Sequence, residues 1–275
     1  MPEIDSLQTA ERIFHSSRSW IFDRTVGIYA RTPGGNPRLE GSGVLLQIAD
    51  APFLLSAGHV LKASKEAAIM PAPMVPGSRM IPMRGVRINF TAEQKQFDVG
   101  FVRLPDEVAS ELKQHGKKFA TRADIDVSNE PTQAFYNVFG YPAKTNTPDY
   151  QAMRVDVLPL CYATYLYDGN DVNSTPGVSI VLRFRQETTT RPDGETGRMP
   201  SLKGISGCGI WRLYGHGDRL GRLDTWHPGW IRLAAIEHGC VERKYIKGTI
   251  IKPVLELILR ANPDLSASMR LTLSA

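Results

Sequence analysis

The sequence has too few cysteines for a framework of disulfide bonds. Only three occur among its 275 residues, Cys161, Cys208 and Cys240, and no two of them form a CxxC pair. An odd number of cysteines at such distant spacings excludes a disulfide-stapled scaffold and gives no zinc or dithiol redox motif. We therefore expect no metal site, and we expect a reducing compartment, the cytoplasm.

Long apolar segments are absent as well. No stretch approaches the roughly 18 consecutive apolar residues that indicate a membrane-spanning helix. The N-terminal segment "MPEIDSLQTAERIFHSSRSW" is charged and has the apolar spacing of a helix, whereas a secretory signal would need an uninterrupted apolar stretch. We expect a cytoplasmic protein without a membrane partner.

The formal charge of +5 is not concentrated in one basic segment. The 33 lysines and arginines are spread along the chain among 28 acidic residues. No basic cluster is interleaved with the aromatic residues that stack on nucleic-acid bases. The charge pattern therefore predicts no specific nucleic-acid partner.

Short apolar segments bounded by turn residues predict two series of β-strands, with about six strands in each. The first series lies between residues 26 and 104, and the second between 135 and 251. The polar segment 105 to 131 separates them and is predicted as a connector with one helical turn. The Gly-, Pro- and Thr-rich segment 186 to 203 is predicted to contain no strand.

Helices are predicted at both ends of the chain. Ser6 is a suitable N-cap for a short N-terminal helix. Pro253 suits the first turn of a C-terminal helix, and Asn262-Pro263 suits its end.

The predicted fold class is all-β: two six-stranded antiparallel β-barrels with an N-terminal and a C-terminal helix. The N-terminal helical segment is assigned to residues 1–22 and the first barrel to 23–104. The connector is assigned to 105–131, the second barrel to 132–251, and the C-terminal helix and tail to 252–275.

The segment "LKGISGCGIWRL" places Ser206 between two glycines, in a turn that can expose a side chain and its backbone amides. A serine hydroxyl becomes a nucleophile only beside a base that is itself oriented by a third group. His59 in "PFLLSAGHVL" and Asp98 in "QFDVGFVRL" supply those chemistries. Singly, each of the three is more commonly structural: a core histidine, a strand-start cap and a turn former. The histidine and the aspartate lie in the first series of strands, and the serine lies in the second. Together they predict a site at the seam between two barrels.

Four segments, "LLSAGHV", "FDVGFVRL", "VFGYP" and "GISGCGIW", resemble blocks of the trypsin-like serine proteases of the chymotrypsin fold (PA clan). The resemblance is particularly to the disulfide-free bacterial type related to Deg/HtrA catalytic domains, and it spans roughly residues 24 to 260. The resemblance implies a serine endopeptidase that needs no cofactor. It implies Ser206 as nucleophile, His59 as general base and Asp98 as the orienting acid, with the amides of Gly204 and Ser206 as the oxyanion hole.

The same resemblance implies where the substrate lies. A protein or peptide substrate would pair as an added β-strand with the edge that carries Glu237, His238 and Gly239. Pro200 stands six positions before Ser206, where relatives that cut after Lys or Arg carry an aspartate. We therefore expect a small or apolar P1 residue, although Glu237 or Glu242 could restore a basic preference from the opposite wall.

Cys208 offers an alternative nucleophile, because a viral type of this fold uses cysteine. That frame needs a glycine two positions earlier, where Ser206 stands, so Cys208 is predicted to serve packing. A second functional class is an inactive protease-fold scaffold that binds extended peptides.

Ile205 stands where zymogen-type relatives carry the aspartate that pairs with a newly cut N-terminus. An isoleucine offers no charge to that ammonium group, so activation by N-terminal cleavage is not expected. We expect control by ordering of residues 186 to 203, induced by substrate or by a regulatory protein partner.

Overall fold

The structure is a computed structural model that describes most of the chain. The described residues are 3–31, 36–63, 69–75, 78–83, 86–91, 97–128, 130–146, 148–149, 154–155, 158–169, 172, 174–185, 189–190, 196–197, 199, 201–213 and 226–265. Pro200, which we assigned to the substrate pocket, lies outside them.

Six antiparallel strands from the first half of the chain form one sheet. Their bounds are β1 Thr25–Arg31, β2 Pro37–Ile48, β3 Ala51–Ser56, β4 Ile69–Ala72, β5 Ile88–Phe90 and β6 Gly100–Arg103. The sheet order is β4-β1-β2-β3-β6-β5. Every residue of β3 is buried, as an apolar run such as "FLL" at the centre of a sheet requires.

Six strands from the second half form the other antiparallel sheet. Their bounds are β7 Phe135–Gly140, β8 Leu160–Thr164, β9 Ser179–Arg183, β10 Gly209–Leu213, β11 Ile231–Val241 and β12 Tyr245–Ile250. The sheet order is β8-β7-β10-β11-β12-β9. The two series of six strands predicted from the sequence are confirmed.

Both sheets follow the same circular strand order. We number the strands of each sheet one to six in chain order, which gives the sheet orders 4-1-2-3-6-5 and 2-1-4-5-6-3. Both orders follow the ring 1-2-3-6-5-4. The first sheet is open between strands five and four of this ring, and the second is open between strands two and three. In the second sheet the residues after β8 close that opening, since Tyr167 N donates to Val181 O at 3.0 Å and Arg183 N donates to Tyr165 O at 2.9 Å. The two halves are thus copies of one antiparallel barrel topology.

Two short ladders lie outside the main sheets. Pro148–Asp149 pairs with Arg154–Val155, and Thr189–Thr190 pairs with Thr196–Gly197. The second ladder falls within 186 to 203, so the prediction that this segment contains no strand is wrong. Three of the four residues in this ladder are threonines, and β-branched residues favour the extended backbone.

In the described parts of the chain, four α-helices accompany the sheets: α1 Glu3–Phe22, α2 Gly58–Ala63, α3 Asp106–Gln114 and α4 Ile251–Ala261. Single 3₁₀ turns lie at Arg122–Asp124, Ala143–Thr145, Pro228–Trp230 and Pro263–Leu265. Within the described part of the chain, no helix is long and apolar enough to cross a membrane.

The terminal helices were predicted, but two helix lengths were wrong. α1 has 20 residues and starts before Ser6, which is therefore not its cap. α3 has nine residues where we predicted one turn. It buries Val108, Ala109 and Leu112, and this i, i+4 stripe against the first sheet favours a helix in an otherwise polar segment.

Three apolar clusters form the core. Two fill the interiors of the individual barrels. The third lies between the sheets and joins both of them to α1 and α4. Its members include Ile21, Phe53, Phe101, Phe139, Trp211, Val254 and Ile258. The barrels are thus fixed to each other by a shared apolar layer, which sets the geometry of any site at their seam.

The C-terminal end of α1 is part of this shared layer. The Trp20 ring meets Trp211 edge to face with ring centroids 5.4 Å apart, and the Arg24 guanidinium lies 3.5 Å from the centre of the Trp20 ring. The buried Asn137 Nδ2 donates to Ser17 Oγ at 2.9 Å. α1 is therefore a structural element of the two-barrel unit rather than an appended helix.

We expect Trp20→Ala to lower the free energy of unfolding by about 3 kcal/mol, because it removes the contacts of a large aromatic ring at the shared layer. His15→Ala, on the exposed face of the same helix, should change it by less than about 0.5 kcal/mol. Chemical denaturation of both variants provides the measurement. Equal effects would contradict the structural role of α1.

Candidate active site

His59 and Asp98 are brought together by two paired strands. His59 is the second residue of α2, directly after β3, and Asp98 lies just before β6. β3 and β6 are neighbours, with Ser56 opposite Gly100, so their adjoining turns meet at one edge of the sheet. A Cβ atom at Gly58 would lie 2.6 Å from Asp98 Oδ1, which explains the glycine before the histidine.

The Asp98 carboxylate holds His59 at two points. His59 Nδ1 lies 2.5 Å from Asp98 Oδ2, and the His59 backbone N donates to Asp98 Oδ1 at 2.9 Å. The His59 side chain remains 47% exposed, whereas Asp98 is 21% exposed. The imidazole is thus fixed through Nδ1, and its Nε2 is left to face solvent or a substrate.

This pair shifts the pKa of both groups. The hydrogen bond to Asp98 raises the pKa of His59 against the opposing effect of burial. Burial alone would raise the pKa of Asp98, but the hydrogen bonds and charge of His59 outweigh it, and the pKa is lowered. Asp98 is therefore ionised near neutral pH, and a proton on His59 is stabilised.

The turn around Ser206 depends on two glycines in the left-handed region. Gly204 has φ +98° and Gly207 has φ +88°. A Cβ atom at Gly207 would lie 1.9 Å from Ser56 Oγ and 2.9 Å from Ala57 N. The serine turn therefore packs directly against the segment that leads into His59, so the structure brings the two halves of the predicted site to one place.

The hydroxyl of Ser206 is not hydrogen bonded to His59 among the described residues. Hydrogen bonds between a nucleophile and its base are often long or poorly aligned before substrate is bound. The structure thus joins His59 to Asp98 directly, and joins Ser206 to them through the packing of its turn.

The amides of Gly204 and Ser206 are oriented by their neighbouring carbonyls. Lys203 O accepts a hydrogen bond from Ala143 N at 2.8 Å, and Ile205 O accepts one from Cys208 N at 2.9 Å. In a planar trans peptide the next N–H points the opposite way, so both amides face away from these partners. Neither amide donates a hydrogen bond within the described part of the chain, which leaves both of them for a bound anion.

Ser42 of β2 is a site-supporting residue that sequence reasoning missed. Its backbone N donates to Ser206 O at 2.8 Å, and its hydroxyl donates to Gly204 O at 3.3 Å. The same hydroxyl accepts from Tyr141 N at 2.9 Å. The only sequence signal was its place between two glycines, Gly41 and Gly43, which let other backbone approach β2.

Of the predicted substrate-pairing residues, Glu237 has no free backbone groups. Its N donates to Cys208 O at 2.9 Å, and its O accepts from Gly207 N at 2.8 Å. This corrects the prediction for Glu237. The open part of the β11 edge starts at His238, and a Cβ atom at Gly239 would meet nothing within 4 Å.

The side chains of Glu237 and His238 have strongly shifted pKa values. Burial raises the pKa of Glu237 to about 8 and lowers the pKa of His238 to about 4. Both side chains are therefore mainly neutral at pH 7. Glu237 is 1% exposed, so it is a buried acid rather than an open pocket wall.

Cys208 is fully buried in the second-barrel cluster, and burial raises its pKa well above the ordinary range. A thiol in that state is a poor nucleophile, because the thiolate is the reactive form. Within the described residues, no three His, Cys, Asp or Glu side chains form a group that could hold a metal ion.

No protein-family model matches the sequence, and no curated protein matches it. Among solved structures, the serine endoprotease from Yersinia pestis aligns with a TM-score of 0.48 and 12% identity, covering 90% of this chain and 65% of that one. A chain from a structure concerning the coupled folding and binding of the intrinsically disordered Sesbania mosaic virus VPg protein aligns with a TM-score of 0.46 and 16% identity. That alignment covers 86% of this chain and 91% of that one.

Likeness at such low identity concerns the fold alone, since one fold hosts many functions. The strand topology itself carries the assignment: two antiparallel six-stranded sheets in one circular order, joined by a shared apolar layer. The chain therefore has a trypsin-like two-barrel fold.

The packing of the Gly207 turn leads to a testable prediction for the free energy of unfolding. Gly207→Ala should lower the free energy of unfolding by about 3 kcal/mol or more, since a positive φ and a steric overlap add together. Gly116 has φ +79° with nothing near its missing Cβ, so Gly116→Ala should cost only about 1 kcal/mol. Urea denaturation compares the two. Similar costs would show that the turn is not packed as described.

Proposed function

We propose that the protein is a serine endopeptidase that hydrolyses protein substrates through an acyl-enzyme on Ser206. The observation that carries the proposal is the His59 ring held by Asp98 at 2.5 Å. It lies next to a turn that carries Ser206 and two amides that donate no hydrogen bond to any described residue. These are the base, the orienting acid, the nucleophile and the oxyanion donors of acyl transfer.

In the proposed reaction, Asp98 holds the proton of His59 on Nδ1, so Nε2 is the basic nitrogen. His59 takes the proton of the Ser206 hydroxyl as Oγ attacks the substrate carbonyl carbon. The resulting oxyanion accepts hydrogen bonds from the amides of Gly204 and Ser206. His59 then gives its proton to the departing amine, which leaves an ester on Ser206.

Water completes the cycle by the same route. His59 removes a proton from a water molecule, which attacks the ester carbonyl. The proton passes to Ser206 Oγ as the acid product leaves, and both side chains return to their starting states.

Support for an extended peptide substrate comes from β11. His238 and Gly239 lie on the stretch of this strand that pairs with β12 on one side only within the described residues. The space beside Gly239 is open. A substrate strand could add to that edge through backbone hydrogen bonds.

A second candidate is an inactive protease-fold scaffold that binds extended peptides. The observation that favours it is the lack of a hydrogen bond between Ser206 Oγ and His59 among the described residues. Such a scaffold would use the β11 edge without chemistry at Ser206.

Hydrolysis of an unstructured protein separates the two candidates. Ser206→Ala and Asp98→Asn should each reduce kcat/KM by about 10⁴-fold, because either change disables the acyl-transfer machinery. Ser110→Ala, on the exposed surface of α3, should leave the rate unchanged. A wild-type rate no higher than that of Ser206→Ala, with equal peptide binding by both, would support the scaffold instead.

The proposed enzyme hydrolyses its substrate while α1 is still part of the chain. Ile205 is 1% exposed in the second-barrel core and offers no charge to a new N-terminal ammonium group, which would be costly to bury unpaired. Control by a substrate or a regulatory protein that acts on the segment 186 to 203 is part of this proposal.

We expect the chain with an intact N-terminal helix to hydrolyse peptides. A chain that lacks residues 1 to 23 should lose activity, because it loses the stabilising contacts of α1. Intact mass recorded before and after each assay shows whether cutting precedes turnover, and Ser206→Ala provides the blank. Activity that emerges only after removal of the segment up to residues 20 to 26 would contradict this account.

A further inference from the structure

Asn146 is a buried amide directly after the 3₁₀ turn Ala143–Thr145. The residue is 1% exposed, and both polar atoms of its side chain are hydrogen bonded. Nδ2 donates to Pro142 O at 2.6 Å, and Oδ1 accepts from Leu158 N at 3.0 Å. The Asn146 side chain therefore fastens the start of this turn to the segment that leads into β8.

Asn146 is the closest of the donors to the Pro142 carbonyl. Pro142 O also accepts from Thr145 N and from Thr145 Oγ1, each at 3.2 Å. The Thr145 hydroxyl has a single proton and lies 3.3 Å from Leu158 O as well, so it serves only one of the two carbonyls at a time. The short bond from Asn146 is therefore the main side-chain contact that fixes the Pro142 carbonyl.

Two hydrogen-bonded peptide groups connect Asn146 to the proposed oxyanion hole. The Pro142 carbonyl shares its peptide group with the backbone N of Ala143, which donates to Lys203 O at 2.8 Å. Lys203 O in turn shares its peptide group with the backbone N of Gly204. Because the C=O and N–H of a planar trans peptide point in opposite directions, Asn146 orients the Gly204 N–H through these two peptide groups.

The backbone of Gly204 does not hold this orientation by itself. Its φ is +98°. Turning over the peptide group between Lys203 and Gly204 would bring φ to about −80°, which glycine adopts as readily. A Cβ atom at Gly204 would lie 2.6 Å from Ala143 N, so the two backbone segments are in close contact. The hydrogen bond from Ala143 N to Lys203 O therefore favours the observed direction of the Gly204 N–H.

We propose that Asn146 is a positioning residue that orients the Gly204 amide of the oxyanion hole. The inference rests on the proposed function for its catalytic consequence, whereas the orientation of the amide does not depend on catalysis. Donors that are fixed before the reaction stabilise an oxyanion without reorganising during the chemical step. Asn146 should therefore affect the transition state and leave the ground-state binding of substrate largely unchanged.

Asn146→Asp provides the kinetic test. The new carboxylate has the size of the amide and can still accept from Leu158 N, but it cannot donate to Pro142 O. We expect kcat to fall by about tenfold with KM within about twofold, less than the roughly 10²–10³-fold cost of losing a whole oxyanion donor. Lys144→Gln changes the exposed residue in the middle of the same turn and should leave both constants unchanged.

A trifluoromethyl ketone analogue of a peptide substrate separates the orientation of the amide from a general loss of structure. Its adduct with Ser206 carries an oxyanion, so Asn146→Asp should weaken this inhibitor about as much as it lowers kcat/KM. The midpoint of the pH profile set by His59 should not move, because the hydrogen bonds between His59 and Asp98 do not involve this turn. A rise in KM at constant kcat, or a fall in kcat with unchanged inhibitor affinity, would overturn the inference.

The hydrogen bond between Ala143 and Lys203 can also be observed without catalysis. Scalar coupling across this bond joins the ¹⁵N nucleus of Ala143 to the carbonyl ¹³C nucleus of Lys203. NMR of the labelled protein should detect the coupling in the wild type and in Lys144→Gln, and should show it weakened or lost in Asn146→Asp. A wild-type protein without the coupling overturns the inference even if the Asn146 variant does not fold.

The inference and the proposed function fail separately. A wild-type chain that neither hydrolyses peptides nor reacts with a fluorophosphonate at Ser206 contradicts the proposed function. Loss of the coupling in Asn146→Asp would then still show that Asn146 orients the Gly204 amide. Equal peptidase activity of the wild type and Asn146→Asp, with the coupling intact in both, contradicts the role of Asn146 instead.

Discussion

The site depends on one buried serine that joins the two barrels. Ser42 of β2 binds the serine turn through its backbone N, which donates to Ser206 O at 2.8 Å, and through its hydroxyl, which contacts Gly204 O and Tyr141 N. Its own carbonyl accepts from Ser56 Oγ at 2.8 Å. These bonds connect the Ser206 turn of the second barrel with two strands of the first. Because they are buried, their loss would leave polar groups unpaired, so the register between the barrels is strongly defined.

Most of the fold could be predicted from the sequence because its strands are short apolar segments separated by turn residues. The segment "FYNVFG" corresponds to β7 at both ends. The helices were harder, because tertiary burial decides them: α3 is polar overall and forms around three buried residues. α1 was underestimated, because the packing of Trp20 on Trp211 joins residues that are distant in sequence.

The candidate reactive residues could be selected from the sequence more readily than the residues that hold them in position. His59, Asp98 and Ser206 could be selected because their residue types and order carry a chemical requirement. Ser42 could not, since nothing local indicates a contact across the barrels. The burial of Glu237 was also hidden, because nothing in the sequence shows that an acidic residue after the apolar run of β11 is only 1% exposed.

The central claim is that the hydroxyl of Ser206 is made nucleophilic by the His59–Asp98 pair. Mass spectrometry of the protein after treatment with a fluorophosphonate tests it most directly. The account predicts one adduct, on the peptide that carries Ser206, and a large decrease in its rate of formation when His59 is replaced by alanine. An adduct on another residue, or an equal rate without His59, would contradict it.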